Sequence, residues 1–381
     1  MQHSKINWRG IVALNVVSTF AQLGQFGVGF VVLPIWLAAR GLGAVELGLF
    51  GSAGWTGMLA ALLITPRLIS KHGSKKVVLA SLLLSSIGFF LMLFIAWPLW
   101  IMSSMLIGFG MGLRWIANET WLYRIVPKNI LGQVVGVHEA LIALAVIIPP
   151  ALVAIFSTAD NKLIWFGIFF NSLAMLPLLL VASEKVQVAN TAKSRFFQAD
   201  KLTKLGMVIA GACGVVDGAM MALFPLFGLG HGFTEAQVAI LLTVIGVGGL
   251  ALQYPLGWLS DKKGVIRAGL LVAIVACVVT CMMAFVPMGF EGFGMLSFVF
   301  GGVTAAFLTF GIIAAASAHD HDHMAENISK ISITFTVSSI AGSLLAGFAA
   351  EGLGNDALLW LVALVSGVLA VIFLRNLKEA V

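Results

Sequence analysis

Charge is scarce in this 381-residue sequence. Lys, Arg, Asp and Glu together make up 10% of it, against about 25% in soluble globular domains. That scarcity excludes a water-solvated globular fold. Cysteine is nearly absent too: Cys213, Cys277 and Cys281 all lie inside apolar runs, which excludes a disulfide framework and leaves no redox motif. Cys277 and Cys281 share a helix face and read as core filling. The sequence also lacks a nucleophile motif, a phosphate-binding glycine loop and a nucleotide-binding domain, so neither an enzyme, a cofactor nor transport driven by ATP on this chain alone is expected. What is present is hydrocarbon: 60% of residues are hydrophobic and the mean hydropathy is +1.05. Apolar stretches of roughly 20 residues recur, each able to cross about 30 Å of bilayer. They are continuous and do not alternate in period two, so helices are expected and not a barrel.

The runs predict twelve membrane helices, near 10–38, 45–69, 76–97, 99–124, 133–157, 162–183, 205–230, 235–260, 266–287, 290–317, 327–350 and 357–376. The first span follows "MQHSKINWRG" with no small-residue cleavage site, so it is expected to be retained. Connections are short except for the basic stretch at 184–204, which separates an N-terminal half (1–183) from a C-terminal half (205–381). With the N-terminus inside, all but three of the 22 basic residues fall on inner loops and ends. The three are Arg40, Lys162 and the intramembrane Arg114. This asymmetry places both termini in the cytoplasm, and Trp36, Trp97, Trp100, Trp165 and Trp360 form an outer aromatic belt. The formal charge of +6 is then a topology signal and implies no nucleic acid.

A displacement of 191 positions lays the chain on itself. Pro34 meets Pro225, Gly41 meets Gly232, Gly57 meets Gly248, Lys71 meets Lys262 and Gly73 meets Gly264. The halves therefore read as parallel six-helix repeats. In the second copy, "PLGWLSDKKG" carries Gly257, Asp261 and Gly264 in the spacing G-x-x-x-D-x-x-G, with Lys262 and Lys263 between Asp261 and Gly264. With twelve spans, a basic central linker and the repeat, the whole chain resembles the major facilitator superfamily of secondary transporters. The resemblance implies an all-α membrane protein of twelve transmembrane helices in two pseudo-symmetric halves, alternating access around a midplane site, and a conformational latch at Gly257, Asp261, Lys262, Lys263 and Gly264. The first copy, "PRLISKHG", has Pro66 and Ser70 where the motif has Gly and Asp. The helix-five segment "AVIIPPALV" does not match the family's drug-antiporter signature.

Ionisable groups inside a span are costly and mark function by default. Arg114, in "GMGLRWIANETWLYR", lies within about 5 Å of the midplane, and Asn118 shares its face while Glu119 turns roughly 140° away. A planar, permanently charged donor fork suits a carboxylate or phosphate on a solute. The alternative is a structural ion pair with Asp217 or Glu139. Glu119 and Glu139, at similar depths, are candidate proton carriers with Asp217 and His138. They could instead serve as local hydrogen-bonding groups. Gln22 and Gln25 on the first helix, with Tyr254 and more weakly Thr243 and Gln253 on the eighth, are candidate solute contacts.

The remaining motif is "AHDHDHM", in which His319, His321 and His323 alternate with aspartates in an inner loop. Imidazole and carboxylate could hold a divalent or copper ion, but the loop has no matching partner cluster and no metal site is expected. The sequence thus points to a secondary transporter in the inner membrane, coupled to protons and moving a small organic molecule with an anionic group, as a monomer in the lipid bilayer. A metal-ion or metal-chelate transporter is the first alternative, and a transport-inactive sensor or assembly factor on the same fold the second.

Overall fold

The computed structural model describes residues 6–127, 129–181, 199–316 and 324–379, and among them every regular element is a helix. Eleven helices are long and apolar enough to cross a membrane: α1 (Trp8–Ala38), α2 (Ala44–His72), α3 (Ser74–Leu91), α4 (Trp100–Ile125), α5 (Leu131–Val153), α7 (Lys201–Gly230), α8 (Glu235–Lys263), α9 (Val265–Phe285), α10 (Phe290–Ala316), α11 (Met324–Leu353) and α12 (Ala357–Glu379). The 17-residue apolar helix α6 (Lys162–Leu178) completes the twelve. Helix starts follow local chemistry. The Asn7 side chain accepts from the Gly10 amide at 3.0 Å, Asp200 accepts from Thr203, and Thr234 with Gln237 forms a reciprocal capping box.

Three helices depart from the expected spans. α3 stops at Leu91 and not near 97, because the Trp100 indole donates to Met92 O (3.3 Å) and Ile95 O (2.9 Å), satisfying carbonyls that a longer helix would have used internally. α5 is broken: an α-helical stretch ends at Ala143, a 3₁₀ turn covers Leu144–Val146, and helix resumes at Ile148. Pro149 and Pro150 lack the N–H groups that would have carried the ladder through this turn. α6 ends at Leu178 and not near 183, where the Lys75 ammonium reaches across to Val181 O at 2.6 Å. Within α1, Leu23–Val32 is π-helical. Its glycines let neighbours close in, since a Cβ on Gly24 would stand 3.0 Å from Gly167 O and one on Gly27 would stand 2.5 Å from Ala145 O.

The repeat is visible in backbone detail. Gly41 and Gly232 have φ of +81° and +80°, and Gly73 and Gly264 have +82° and +78°. Each pair closes its helix with the same hydrogen bond: Gly73 N to Ile69 O and Gly264 N to Ser260 O are both 2.8 Å. A side chain at any of these positions would be strained, which is why the glycines recur at one offset. Gly57 and Gly248 have a different reason. A Cβ on Gly57 would run into Met105 O and one on Gly248 into Phe298 O, so α2 crosses α4, and α8 crosses α10, at backbone contact.

The described chain forms two compact units, Met1–Trp36 with Ala53–Asn190, and Leu37–Ser52 with Thr191–Val381. In the first, Leu14, Val17, Val78, Leu82, Ala117, Trp121 and Ala174 are fully enclosed at the centre. In the second, α7 is buried against α10 and α11, with Gly214 and Gly218 pressed on the Phe335 and Ser339 carbonyls. The N-terminal end of α2 belongs to this unit, where a Cβ on Gly48 would stand 2.6 Å from Ser343 O. Leu79, Leu83, Phe90, Phe94 and Met102 are exposed, as a hydrocarbon solvent permits.

Candidate substrate site

The polar chemistry of the first unit is concentrated on one face of α1. Asn15, Ser18, Gln22 and Gln25 recur at intervals of three and four, so they stack along a single stripe. Each meets a partner. Asn15 donates to Ile11 O (2.8 Å), leaving its oxygen 3.0 Å from His138 Nδ1, so the imidazole donates there. Ser18 Oγ accepts from Asn118 Nδ2 at 2.7 Å, and the same amide nitrogen donates to Leu14 O at 3.1 Å. Gln22 Oε1 accepts from Arg114 Nη2, and Gln25 Oε1 accepts from Arg114 Nε at 2.8 Å. Gln25 Nε2 then donates to Ser85 Oγ at 3.0 Å, and Ser85 Oγ to Ile107 O at 3.3 Å.

Arg114 is the centre of this ladder. It is 3% exposed, and its hydrogen-bond partners are the two neutral amide oxygens. Among the described residues of its own unit no carboxylate lies within ion-pair distance of it, so Glu139 is not a contact counter-ion. A guanidinium has five N–H groups; two are used, which leaves three. Glu119 comes within Coulombic reach of Arg114 although it leaves α4 in another direction, because the arginine side chain is long. Glu119 also lies within electrostatic reach of Glu139. His138 is 1% exposed and likewise senses Arg114. Its Nε2 and the oxygen of Asn118 are enclosed without a partner among the described residues.

Reading by composition missed Asn15, Ser18 and Ser85. The signal for the first two was their spacing to Gln22 and Gln25, a polar stripe in an apolar helix; Ser85 carried no such signal. The corresponding positions of the second half, 191 residues on, are Gly206, Ile209, Cys213 and Val216, so this stripe has no counterpart there. The second unit instead places Asp217 half-buried on α7, with no ion pair among the described residues, and Cys213 one turn away feels its charge. On α8, Thr243 bonds back to Ala239 O at 2.9 Å, while Gln253 and Tyr254 are exposed, Tyr254 by 82%.

The sequence model of the Major Facilitator Superfamily matches residues 14–316 and 206–380. The chain belongs to the Major Facilitator Superfamily. Among its relatives are the uncharacterized MFS-type transporter YcaD of Escherichia coli O17:K52:H18 (strain UMN026 / ExPEC), 23% identical over 351 residues covering 91% of this chain and 90% of that one. YcaD of Salmonella typhi is 23% identical over 357 residues, covering 91% of each. The nucleoside transporter NupG superposes with a TM-score of 0.83 at 13% identity, covering 96% of this chain and 99% of its own. A POT family transporter crystallised with a thioalcohol-conjugated peptide superposes at 0.77 and 13%, covering 97% and 96%. At that identity the superpositions show the fold. Membership makes this protein a multi-pass membrane transporter and not an enzyme.

In this MFS transporter the motif expected in the loop after residue 260 lies within the last turns of α8, which runs on to Lys263, and only Gly264 separates α8 from α9. Gly264 closes the helix with a positive φ, Lys262 Nζ stands 4.1 Å over the Trp258 ring, and Gly257 faces open space. Asp261 and Lys263 are exposed, and Asp261 makes no ion pair among the described residues. In the first half, Ser70 holds the place of Asp261 and bonds to Arg67 O of its own helix at 2.8 Å. No group of three or more metal-ligating side chains occurs among the described residues. His319, His321 and His323 lie outside them.

Proposed function

We propose that this transporter moves a small organic anion across the cytoplasmic membrane by alternating access, coupled to protons, with both termini in the cytoplasm and the halves 1–183 and 205–381 as the moving bodies. The observation that carries the reading is Arg114: a buried guanidinium, paired only with neutral amides, in a chain where charge is rare. A charged side chain at the bilayer centre costs about 3 kcal/mol on insertion scales. A solute carboxylate about 4 Å away returns roughly 4 kcal/mol at an effective dielectric constant of 20, less the cost of desolvating the anion.

Proton coupling is supported by the company Arg114 keeps. Glu119, Glu139 and His138 share its electrostatic neighbourhood, and Asp217 is a carboxylate within a span of the other unit. An anion and a proton bound within one such neighbourhood alter each other's affinity by thermodynamic linkage. The Gly257–Gly264 segment at the end of α8 supplies the conformational latch, a carboxylate and two lysines at a helix end where pairing can be made and broken. The test is a thermal-shift screen of purified protein against matched anionic and neutral metabolites. A ligand of the native state raises its apparent stability. Stabilisation by members of the anionic set, absent in Arg114→Gln, is expected; stabilisation by neutral solutes alone overturns the reading.

A further inference from the structure

Gln22 and Gln25 do something more particular than line a site. The Nε–H and the adjacent Nη2–H of an arginine point along one edge, the edge that grips both oxygens of a carboxylate. In this structure that edge is filled by Gln25 Oε1 on Nε and Gln22 Oε1 on Nη2. Two carbonyl oxygens from successive turns of α1 thus stand where the two oxygens of one carboxylate would stand. They satisfy the two donors of that edge and bring no negative charge to it.

We propose, on the footing of the anion reading above, that Gln22 and Gln25 are resident surrogates for the solute carboxylate, which displaces them from the side-on edge of Arg114 when it binds. The exchange is favourable because a full negative charge replaces two dipoles beside a buried cation. It is incomplete in cost, because the freed amides need new partners. The surrogates therefore tune affinity downward and keep the side-on edge of Arg114 from standing without partners in the empty carrier. They also connect binding to the backbone. Gln25 is anchored through its other amide atom to Ser85, and through Ser85 to the Ile107 carbonyl. It sits in the π-helical stretch Leu23–Val32, a rare backbone form frequently found at functional sites. Displacing Gln25 is thus the step at which occupation of Arg114 reaches α1.

The experiment compares the wild type, Arg114→Gln, the double variant Gln22→Leu with Gln25→Leu, and Gln25→Glu. Thermal shifts are read across concentrations of acetate and benzoate, with acetamide and benzamide as neutral controls. The wild type is stabilised by the carboxylates and Arg114→Gln is not. The double variant, with no surrogates to displace, reaches half-maximal stabilisation at about tenfold lower carboxylate. Gln25→Glu supplies its own carboxylate to Arg114, so it is stabilised without ligand and no longer responds to acetate or benzoate. If the double variant needs as much carboxylate as the wild type or more, the glutamines position Arg114 and are not surrogates, and the anion reading stands without this inference. If the double variant does not fold, a wild-type response in Gln25→Glu overturns the inference by itself. If the wild type and Arg114→Gln respond alike, or neither responds, the anion reading falls and this inference with it.

Discussion

At the residue scale the account rests on one guanidinium and its partners. Arg114→Gln is expected to weaken binding of an anionic solute by about 10- to 100-fold, since each hydrogen bond to a charged group is worth roughly 1.5–3 kcal/mol. Arg114→Lys keeps the charge and loses the planar fork, so it should retain part of the affinity; binding curves for the three proteins check this ordering. Arg114, Gln22, Gln25, Asn118 and His138 were legible in the sequence because an ionisable or amide side chain stands out in a hydrocarbon run. Their pairing was not legible. Whether Arg114 meets Asp217, Glu139 or an amide depends on how α1, α4 and α5 are rotated about their axes, which residue spacing within one helix does not fix. The solute contact expected of Asn118 illustrates this: its amide nitrogen is committed to Leu14 O and Ser18 Oγ, holding α1 against α4.

At the scale of elements, glycine decides where helices touch. Gly57→Ala and Gly248→Ala each place a methyl against a backbone carbonyl of the crossing helix. Overpacking of this kind costs about 1–3 kcal/mol, and a lowered midpoint in a thermal melt should show it in both variants. Gly257→Ala meets open space within α8, so its melting temperature should equal or slightly exceed that of the wild type. A fall in transport by that variant would then report on the latch and not on folding. Length and apolarity were enough to find the twelve spans, and glycines at one offset were enough to find the repeat, because positive φ and backbone contact admit little else. The interruptions were harder to foresee. The end of α3 is set by the Trp100 indole, the break in α5 by two prolines within an otherwise apolar run, and the π-helical stretch of α1 by neighbours packed on Gly24 and Gly27. The prolines stand in the sequence, but where a helix stops or unwinds is also set by which side chain caps its last carbonyls and by what packs against it.

At the scale of the whole molecule, the polar and ionisable side chains are distributed unequally although the fold is repeated. The first unit holds Arg114, Glu119, His138, Glu139 and the polar stripe of α1, whereas the matching positions of α7 are apolar and Asp217 stands apart. Such a division suits a carrier that binds its solute mainly through one half, and it was legible once the halves were aligned. The assignment of Leu37–Ser52 to the second unit was not, because that contact depends on Gly48 and Gly347 allowing two backbones to meet. If protons drive transport, an imposed pH gradient should accelerate solute uptake into proteoliposomes. Glu119→Gln should abolish that acceleration while leaving solute exchange at equilibrium; gradient-driven uptake unchanged in Glu119→Gln, Glu139→Gln and Asp217→Asn would remove these groups as carriers. The central claim is tested most directly by uptake of a panel of radiolabelled small carboxylates and their neutral amide analogues into proteoliposomes holding equal amounts of wild type or Arg114→Gln. The account predicts saturable uptake of at least one carboxylate and not of its amide, reduced about tenfold or more by the substitution. Equal uptake by both proteins, or carriage of the neutral analogues alone, would contradict it.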